Sequence, residues 1–303
     1  MRTRYKVGTV MRDYQLLLLT LPGLIYLLIF NYLPMYGAVI AFKDYSLVRG
    51  IAESPWVGFS HFSRFFSSFQ FWNLIRNTLG LSVFQLLAGF PVPIVLALLL
   101  NQMRSKLFRS VVQTMSYAPH FISVVVVVGM LTMFLSPRTG IVNIALEALG
   151  LERIHFMARP QLFKPIYVIS GIWQSSGWAS IIYLAALSSV SPELYEASKV
   201  DGATKLQQIR HIDIPSLMPT ATIMLILSIG RLMNVGMQKA YLMQNPLTAN
   251  SQEIIQTYVY KIGMISQQFS YSTAIGLFNS AVNAFLLVTV NRVVRQVSES
   301  SLW

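Results

Sequence analysis

SPELYEASKVDGATKLQQIRHIDIP, Ser191–Pro215, is a polar stretch between two long apolar runs. Ser191 is a favourable helix cap, Pro192 suits the first helical position, and Glu193 complements the positive end of a helix dipole. A short helix is expected to Val200. Asp201-Gly202 is a turn signal, because glycine accepts a positive φ without steric cost. A second short helix follows, with Leu206, Ile209 and Ile212 near one face, and is expected to stop before Pro215. The stretch therefore reads as a helix–turn–helix of about 25 residues. A connection of that length is a functional or partner surface, or an amphipathic hairpin lying on lipid; local physics leaves both open.

The flanks decide the fold class. A helix needs about 20 predominantly apolar residues to cross the hydrocarbon core, and about six segments qualify. They are Leu16–Ile40, Asn77–Leu100, Ser116–Leu135, Ile166–Leu187, Leu217–Val235 and Thr273–Val290. Pro22, Pro34, Pro91 and Pro93 fall inside the first two, which packed membrane helices tolerate. The β-branched run Val124–Val128 would suggest a strand in water. In lipid an isolated strand leaves its backbone unpaired, so a helix is expected. The reading is an all-α integral membrane protein, a single domain over 1–303, with no linker or internal repeat.

Composition agrees. Hydrophobic residues make up 54% of the 303 and charged residues 11%, against about 25% charged in an ordinary soluble domain. The net charge of +12 does not point to nucleic acid, because the basic residues form short clusters between apolar runs, with no basic face of interleaved aromatics. Cysteine is absent, which excludes disulfide and thiol chemistry. The N-terminal apolar run is too long for a signal peptide and lacks a cleavage signature, so it reads as a signal anchor retained as the first span.

Basic residues set the expected orientation. The N-terminal tail, about 1–14, carries Arg2, Arg4, Lys6 and Arg12. The short connection Asn101–Ser110 carries Arg104, Lys106 and Arg109, and the tail after the last span carries Arg292 and Arg295. With six spans these lie on one side, assigned to the cytoplasm, and both termini are cytoplasmic. The aromatic run Phe59, Phe62, Phe65, Phe66, Phe69, Phe71 and Trp72 then belongs at headgroup level or against neighbouring helices.

Glu196-Ala197-Ser198, then Gly202, then Ile212-x-Ile214-Pro215 resembles the EAA loop of ABC importer permeases: Glu-Ala-Ala, three residues, Gly, nine residues, Ile-x-Leu-Pro. Ser198 and Ile214 are the departures. Further stretches are similar to oligosaccharide and polysaccharide permeases of the carbohydrate-uptake group: Tyr36–Tyr45, Ser54–Gly58, Val112–Phe121, Ser180–Leu187, Thr257–Tyr260 and Gly276–Ser280. Two further departures are Arg231, where a small residue is expected, and Met237-Gln238, where Phe-Glu is frequent. The resemblance implies a type I ABC importer transmembrane domain whose coupling loop, about 191–215, docks into a groove on a cytoplasmic ATPase. It places Glu196, Ala197, Ser198, Asp201, Gly202, Ala203, Ile212 and Pro215 at that joint. It implies a second permease subunit (a heterodimer), two ATPase subunits holding ATP and Mg, an extracytoplasmic solute-binding protein, and the bacterial cytoplasmic membrane.

Polar side chains inside spans are the candidates for the substrate pathway. Arg231 matches a sugar carboxylate bidentately, or else meets another subunit or snorkels to an interface. A carboxylate partner would mean an acidic, uronate-containing oligosaccharide. Asn234 could join it. Trp173, Gln174 and Trp178 in the fourth span, and Asn279 and Asn283 in the sixth, could stack on and hydrogen-bond a sugar, or could serve interhelical contacts. His61, His120, His155 and His211 show no metal-ligand spacing. No phosphate-binding glycine loop or nucleophile motif exists, so no catalytic site, metal or cofactor is expected on this chain. The alternatives are a secondary carrier, which would need intramembrane acids that these spans lack, and a membrane-embedded enzyme.

Overall fold

The computed structural model describes residues 14–246 and 248–297. The basic tail with Arg2, Arg4, Lys6 and Arg12 lies outside them. The described chain is helical, with an isolated antiparallel bridge between Lys43 and Trp56 and no strand among the described residues. Its principal helices are α1 (Tyr14–Leu27), α2 (Phe71–Gly89), α3 (Pro91–Asn101), α4 (Lys106–Tyr117), α5 (Val124–Phe134), α6 (Pro160–Ser188), α7 (Pro192–Val200), α8 (Lys205–Gln208), α9 (Ile214–Ile229) and α10 (Phe269–Val297). Two compact units result: the chain to Phe66 with Ile262–Leu277, and Ser67–Lys261 with the chain from Phe278 on.

Helix covers most of each segment expected to span, with informative differences. Among the described residues, four stretches are both long and apolar enough to cross a membrane: Tyr14–Phe42, Phe71–Asn101, Lys205–Ile229 and Phe269–Gln296. The third expected span is instead a pair, Lys106–Phe121 and Val124–Phe134, bent by 98°. The break follows from local chemistry. Pro119 removes a backbone donor, and Ser123 accepts from the Val126 amide at 3.3 Å, starting a new helix. Val124–Val128 is helical, as lipid demands.

The fourth segment, α6, is 29 residues long but is not among the sufficiently apolar ones, and the reason lies in its middle. Its first part packs Phe163, Tyr167 and Val168 into a cluster with Leu81, Val128 and Met243. Its last part packs Tyr183, Leu184 and Leu187 into a second cluster with Ala97, Leu100 and Leu217. Between them lie Gly171, Ser175, Ser176 and Ala179, too polar or too small to make a core. At Gly177 an added Cβ would meet the Ser116 carbonyl oxygen at 2.0 Å, so only glycine permits α4 and α6 to approach this closely.

Two expected boundaries shift. Pro215 does not stop the hairpin's second leg: the chain runs from α8 through a wide turn at Ile209–Asp213, where the Ile214 amide donates to the Ile209 carbonyl, directly into α9. Such π-turns provide room for a proline at the start of the next helical segment. The fifth helix ends at Ile229 rather than Val235. At the junction, a Cβ on Gly230 would meet the Leu287 side chain at 2.6 Å.

In the first unit, the two family-like stretches Tyr36–Tyr45 and Ser54–Gly58 are paired. The Asp44 amide donates to Pro55 O at 2.9 Å and the Val57 amide to Phe42 O at 2.9 Å. Lys43 is buried here, donating to Ile51 O and Ala52 O at 2.7 and 3.0 Å. The aromatic run divides in the same way. Phe59 and Phe62 pack on Phe42 and Phe65 is buried, while Phe69 and Trp72 are exposed.

Candidate functional site

The middle of α6 forms one wall of a cavity of about 320 Å³. Gly171, Ile172, Ser175, Ser176, Ala179 and Tyr183 supply that wall. α2 and α3 add Ser82, Gln85 and Pro93; α9 adds Met224 and Ser228; the chain beyond it adds Arg231 and Asn234. Ser82 is buried, yet its Oγ has no hydrogen-bond partner among the described residues. The lining contains one cation, Arg231, and no carboxylate.

Arg231 and Asn234 sit on irregular backbone, which at membrane depth must be satisfied by side chains. The structure supplies these. Asn283 Oδ1 accepts from the Met233 amide at 3.0 Å. Gln256 Nε2 donates to the Met233 carbonyl and, at 3.2 Å, to Asn234 Oδ1. Asn279 Nδ2 donates to Asn234 Oδ1 at 2.8 Å. Asn234, Asn279 and Asn283 are thus brought together, with Asn279 and Asn283 bracing the segment that carries Arg231. Arg231 itself is exposed and forms no ion pair among the described residues.

The fourth-helix candidates point elsewhere. Gln174 Nε2 donates to Ile122 O at 2.8 Å, at the bend between α4 and α5. Trp178 stacks on His120, with ring centres 4.7 Å apart and 3° between planes, and Phe121 meets it edge-on. Trp173 is half-exposed. None of the three lines the cavity. Sequence reasoning missed Ser82, Gln85, Ser175, Ser176, Ser228 and Gln256. The small residues in the middle of α6, recurring at 171, 175, 176 and 179, two of them serines, were the available signal.

The hairpin is a second, separate site. Ser191 accepts from the Glu193 amide at 3.3 Å to start α7. Gly202 has φ +77°, the left-handed conformation that the turn requires. Thr204 and Gln207 form a reciprocal capping box at α8. Ser198, Asp201, Gly202, Ala203 and Ile212 line one hollow of about 240 Å³ with Gln207, Gln208 and His211. Glu196 and Ala197 are exposed beside it, and Pro215 begins α9. Leu194, Val200 and Leu206 are apolar yet exposed. Behind the hollow, Tyr195 Oη donates to Asp213 Oδ1 at 2.5 Å. Burial first, and then this bond, push the Tyr195 phenol up to about 12, so it stays a proton donor. Among the described residues no cluster of His, Cys, Asp or Glu could hold a metal ion.

A membrane-embedded bundle with a polar cavity and a capped hairpin is the architecture of a transport subunit. Residues 89–299 match the family of binding-protein-dependent transport system inner membrane components, and the chain belongs to that family. It is 43% identical over 302 residues to the polygalacturonan/rhamnogalacturonan transport system permease protein YteP of Bacillus subtilis (strain 168), covering 100% of this chain and 94% of that one. Protein LplB of the same organism is 42% identical over 297 residues, covering 98% and 93%. The fold is similar to that in a crystal structure of a bacterial ABC transporter involved in the import of the acidic polysaccharide alginate. The TM-score is 0.88 at 42% identity, covering 96% of this chain and 98% of that one. These findings bear out the resemblance to ABC importer permeases drawn from the Glu196–Pro215 pattern and, through the further stretches, to those of the carbohydrate-uptake group.

Proposed function

We propose that the chain is a single transmembrane domain forming one half of the pathway of an ATP-driven importer for acidic oligosaccharides. Arg231 carries this reading: it is a guanidinium with no ion-pair partner among the described residues, on the wall of a polar cavity whose lining holds no carboxylate. A cation inside a membrane bundle costs free energy and is retained where it meets a ligand or partner. Its fork geometry matches a sugar carboxylate. A relative that handles polygalacturonan/rhamnogalacturonan and a structural neighbour that imports alginate support the same class.

In this reading a second, different permease chain completes the cavity. Two cytoplasmic ATPases holding ATP and Mg grip the hairpin around Glu196 and Gly202, and an extracytoplasmic binding protein delivers the sugar. A structure similar to this chain, that of an alginate transporter with its alginate pentasaccharide-bound periplasmic protein, supports the last point. Both termini lie on the cytoplasmic side of a bacterial inner membrane. The chain itself performs no chemistry.

The test is reconstitution with the ATPase, the second permease and the binding protein, comparing a uronate pentasaccharide with a neutral one of equal length. The acidic sugar is expected to stimulate ATP hydrolysis and uptake selectively, and Arg231→Ala to remove the selectivity. Equal stimulation by both sugars would overturn the acidic-substrate reading.

A further inference from the structure

The carboxylate of Asp213 is completely buried, at 0% exposure, yet no cation lies within ion-pair distance among the described residues. Neutral donors hold it. Tyr195 Oη donates at 2.5 Å, Gln102 Nε2 at 2.9 Å and Asn101 Nδ2 at 3.4 Å. Asn101 also reaches Tyr195 Oη at 3.3 Å. These groups come from different places: Tyr195 from α7, Asn101 and Gln102 from the end of α3, and Asp213 from the wide turn leading into α9. Two more bonds reinforce the junction. Lys205 Nζ donates to Gln102 O at 2.8 Å, and Gln208 Nε2 to Ser198 Oγ at 2.8 Å.

Apolar packing contributes at Ile209, which rests on the cluster of Ala97, Leu100 and Leu217, but it is not the buried centre of this junction. Between Leu187 and Leu217 the buried side chains are Gln208 and Asp213, both polar. A buried carboxylate is costly unless its acceptor positions are filled, and a filled polar network defines one geometry where apolar contact would permit several. The cluster thus joins both legs of the hairpin to the inner end of α3.

We propose that Asp213 is a positioning residue for energy coupling. Its carboxylate gathers α7, α8 and the end of α3 into one rigid piece, so that movement imposed on the hairpin reaches α3 and α9 together. α3 and α9 both carry cavity-lining residues, Pro93, Met224 and Ser228. The inference rests on the reading that the hairpin docks on an ATPase.

The experiment uses the full reconstituted importer and reads sugar taken up per ATP hydrolysed. Asp213→Asn keeps the size but replaces an acceptor oxygen with a donor among donors. It is expected to lower that ratio about tenfold, within the usual range of coupling factors, while the assembly continues to hydrolyse ATP. The exchange Asn101→Asp with Asp213→Asn returns one carboxylate to the cluster and is expected to restore most of the ratio; a merely structural role would lower uptake and hydrolysis together and leave the ratio unmoved throughout. Tyr195→Phe, a milder variant, is expected to lower it about threefold, the loss of one charge-assisted bond among several. An unchanged ratio in Asp213→Asn and Tyr195→Phe overturns the proposal. So does an exchange variant as uncoupled as Asp213→Asn alone. The hairpin reading fails separately: its signature is a parental ratio in Gly202→Val, whatever Asp213 does.

Discussion

Two charges flank the helix Ile214–Ile229: Asp213 just before it and Arg231 just after. Asp213 is sealed from solvent, with its oxygens engaged by neutral donors from two other elements. Arg231 is exposed, on backbone that other side chains brace, and has no ion-pair partner among the described residues. A charge whose partners all lie within the chain organises that chain. A charge whose surroundings are arranged but whose own valence is unmet is arranged for something outside it. In the proposed reading, the contrast separates a transmitting end from a receiving end at the two ends of this helix.

Substitution should break the contrast most sharply in stability. Asp213→Ala strands three half-buried donors and is expected to cost about 3 kcal/mol, read as thermal unfolding of the purified subunit in detergent. Arg231→Ala, by the same measurement, should fall within about 0.5 kcal/mol of the parent, like other exposed positions. Equal losses would erase the distinction. Gly202→Val comes next: with φ at +77°, a β-branched residue is expected to cost about 1–2 kcal/mol, and to uncouple uptake from hydrolysis. For Arg231→Ala, the concentration of acidic oligosaccharide giving half-maximal ATPase stimulation should rise about tenfold, the worth of one charge-assisted contact. Arg231→Lys should recover part of it, because the charge returns without the fork.

The smallest effect concerns an intermediate case. Lys239 is buried, donating to Tyr167 O at 2.9 Å with its ammonium 4.8 Å from that ring's centre. Burial holds its pKa down at about 8, against the ordinary 10.5. Below pH 8 the amine is charged in both folded and unfolded chains. Between pH 8 and 10.5 the unfolded chain holds a proton that the folded one has released, so stability should rise with pH across that window. Lys239→Met should flatten the rise, as read by unfolding temperature at pH 7.5 and 9.5.

The parts legible in the sequence were those written locally. Ser191, Asp201-Gly202 and the apolar runs specify caps, a turn and helices through neighbours a few positions away, and the structure keeps them. The bend at Pro119 and Ser123 was visible in principle, since a proline followed by a capping serine inside an apolar run is a stop and a start. Asp213 was not visible as a buried group: its partners Asn101 and Gln102 are more than a hundred positions away, and an aspartate in a polar hairpin reads as solvated. A hint existed in its place one turn before Leu217, on the face that enters the core. The cavity was half legible. Arg231 and Asn234 stood out by their polarity, but the serines of α6 and the amide of Gln256 acquire meaning only when the helices come together. Trp173, Gln174 and Trp178 attracted attention by residue type, whereas their helix presents its smaller neighbours to the cavity.

The wide turn at Ile209–Asp213 has a consequence for how this chain can change length. In a regular helix each residue added or removed rotates everything beyond it by about 100°, which would swing Arg231 off its wall or Asp213 out of its nest. A π-turn is a helix carrying one surplus residue. Deleting one position among 209–212 would let the turn relax to ordinary winding while hairpin and bundle keep their facing. Along Thr204–Ile229, a single-residue deletion should therefore be tolerated at this turn and rejected on either side of it.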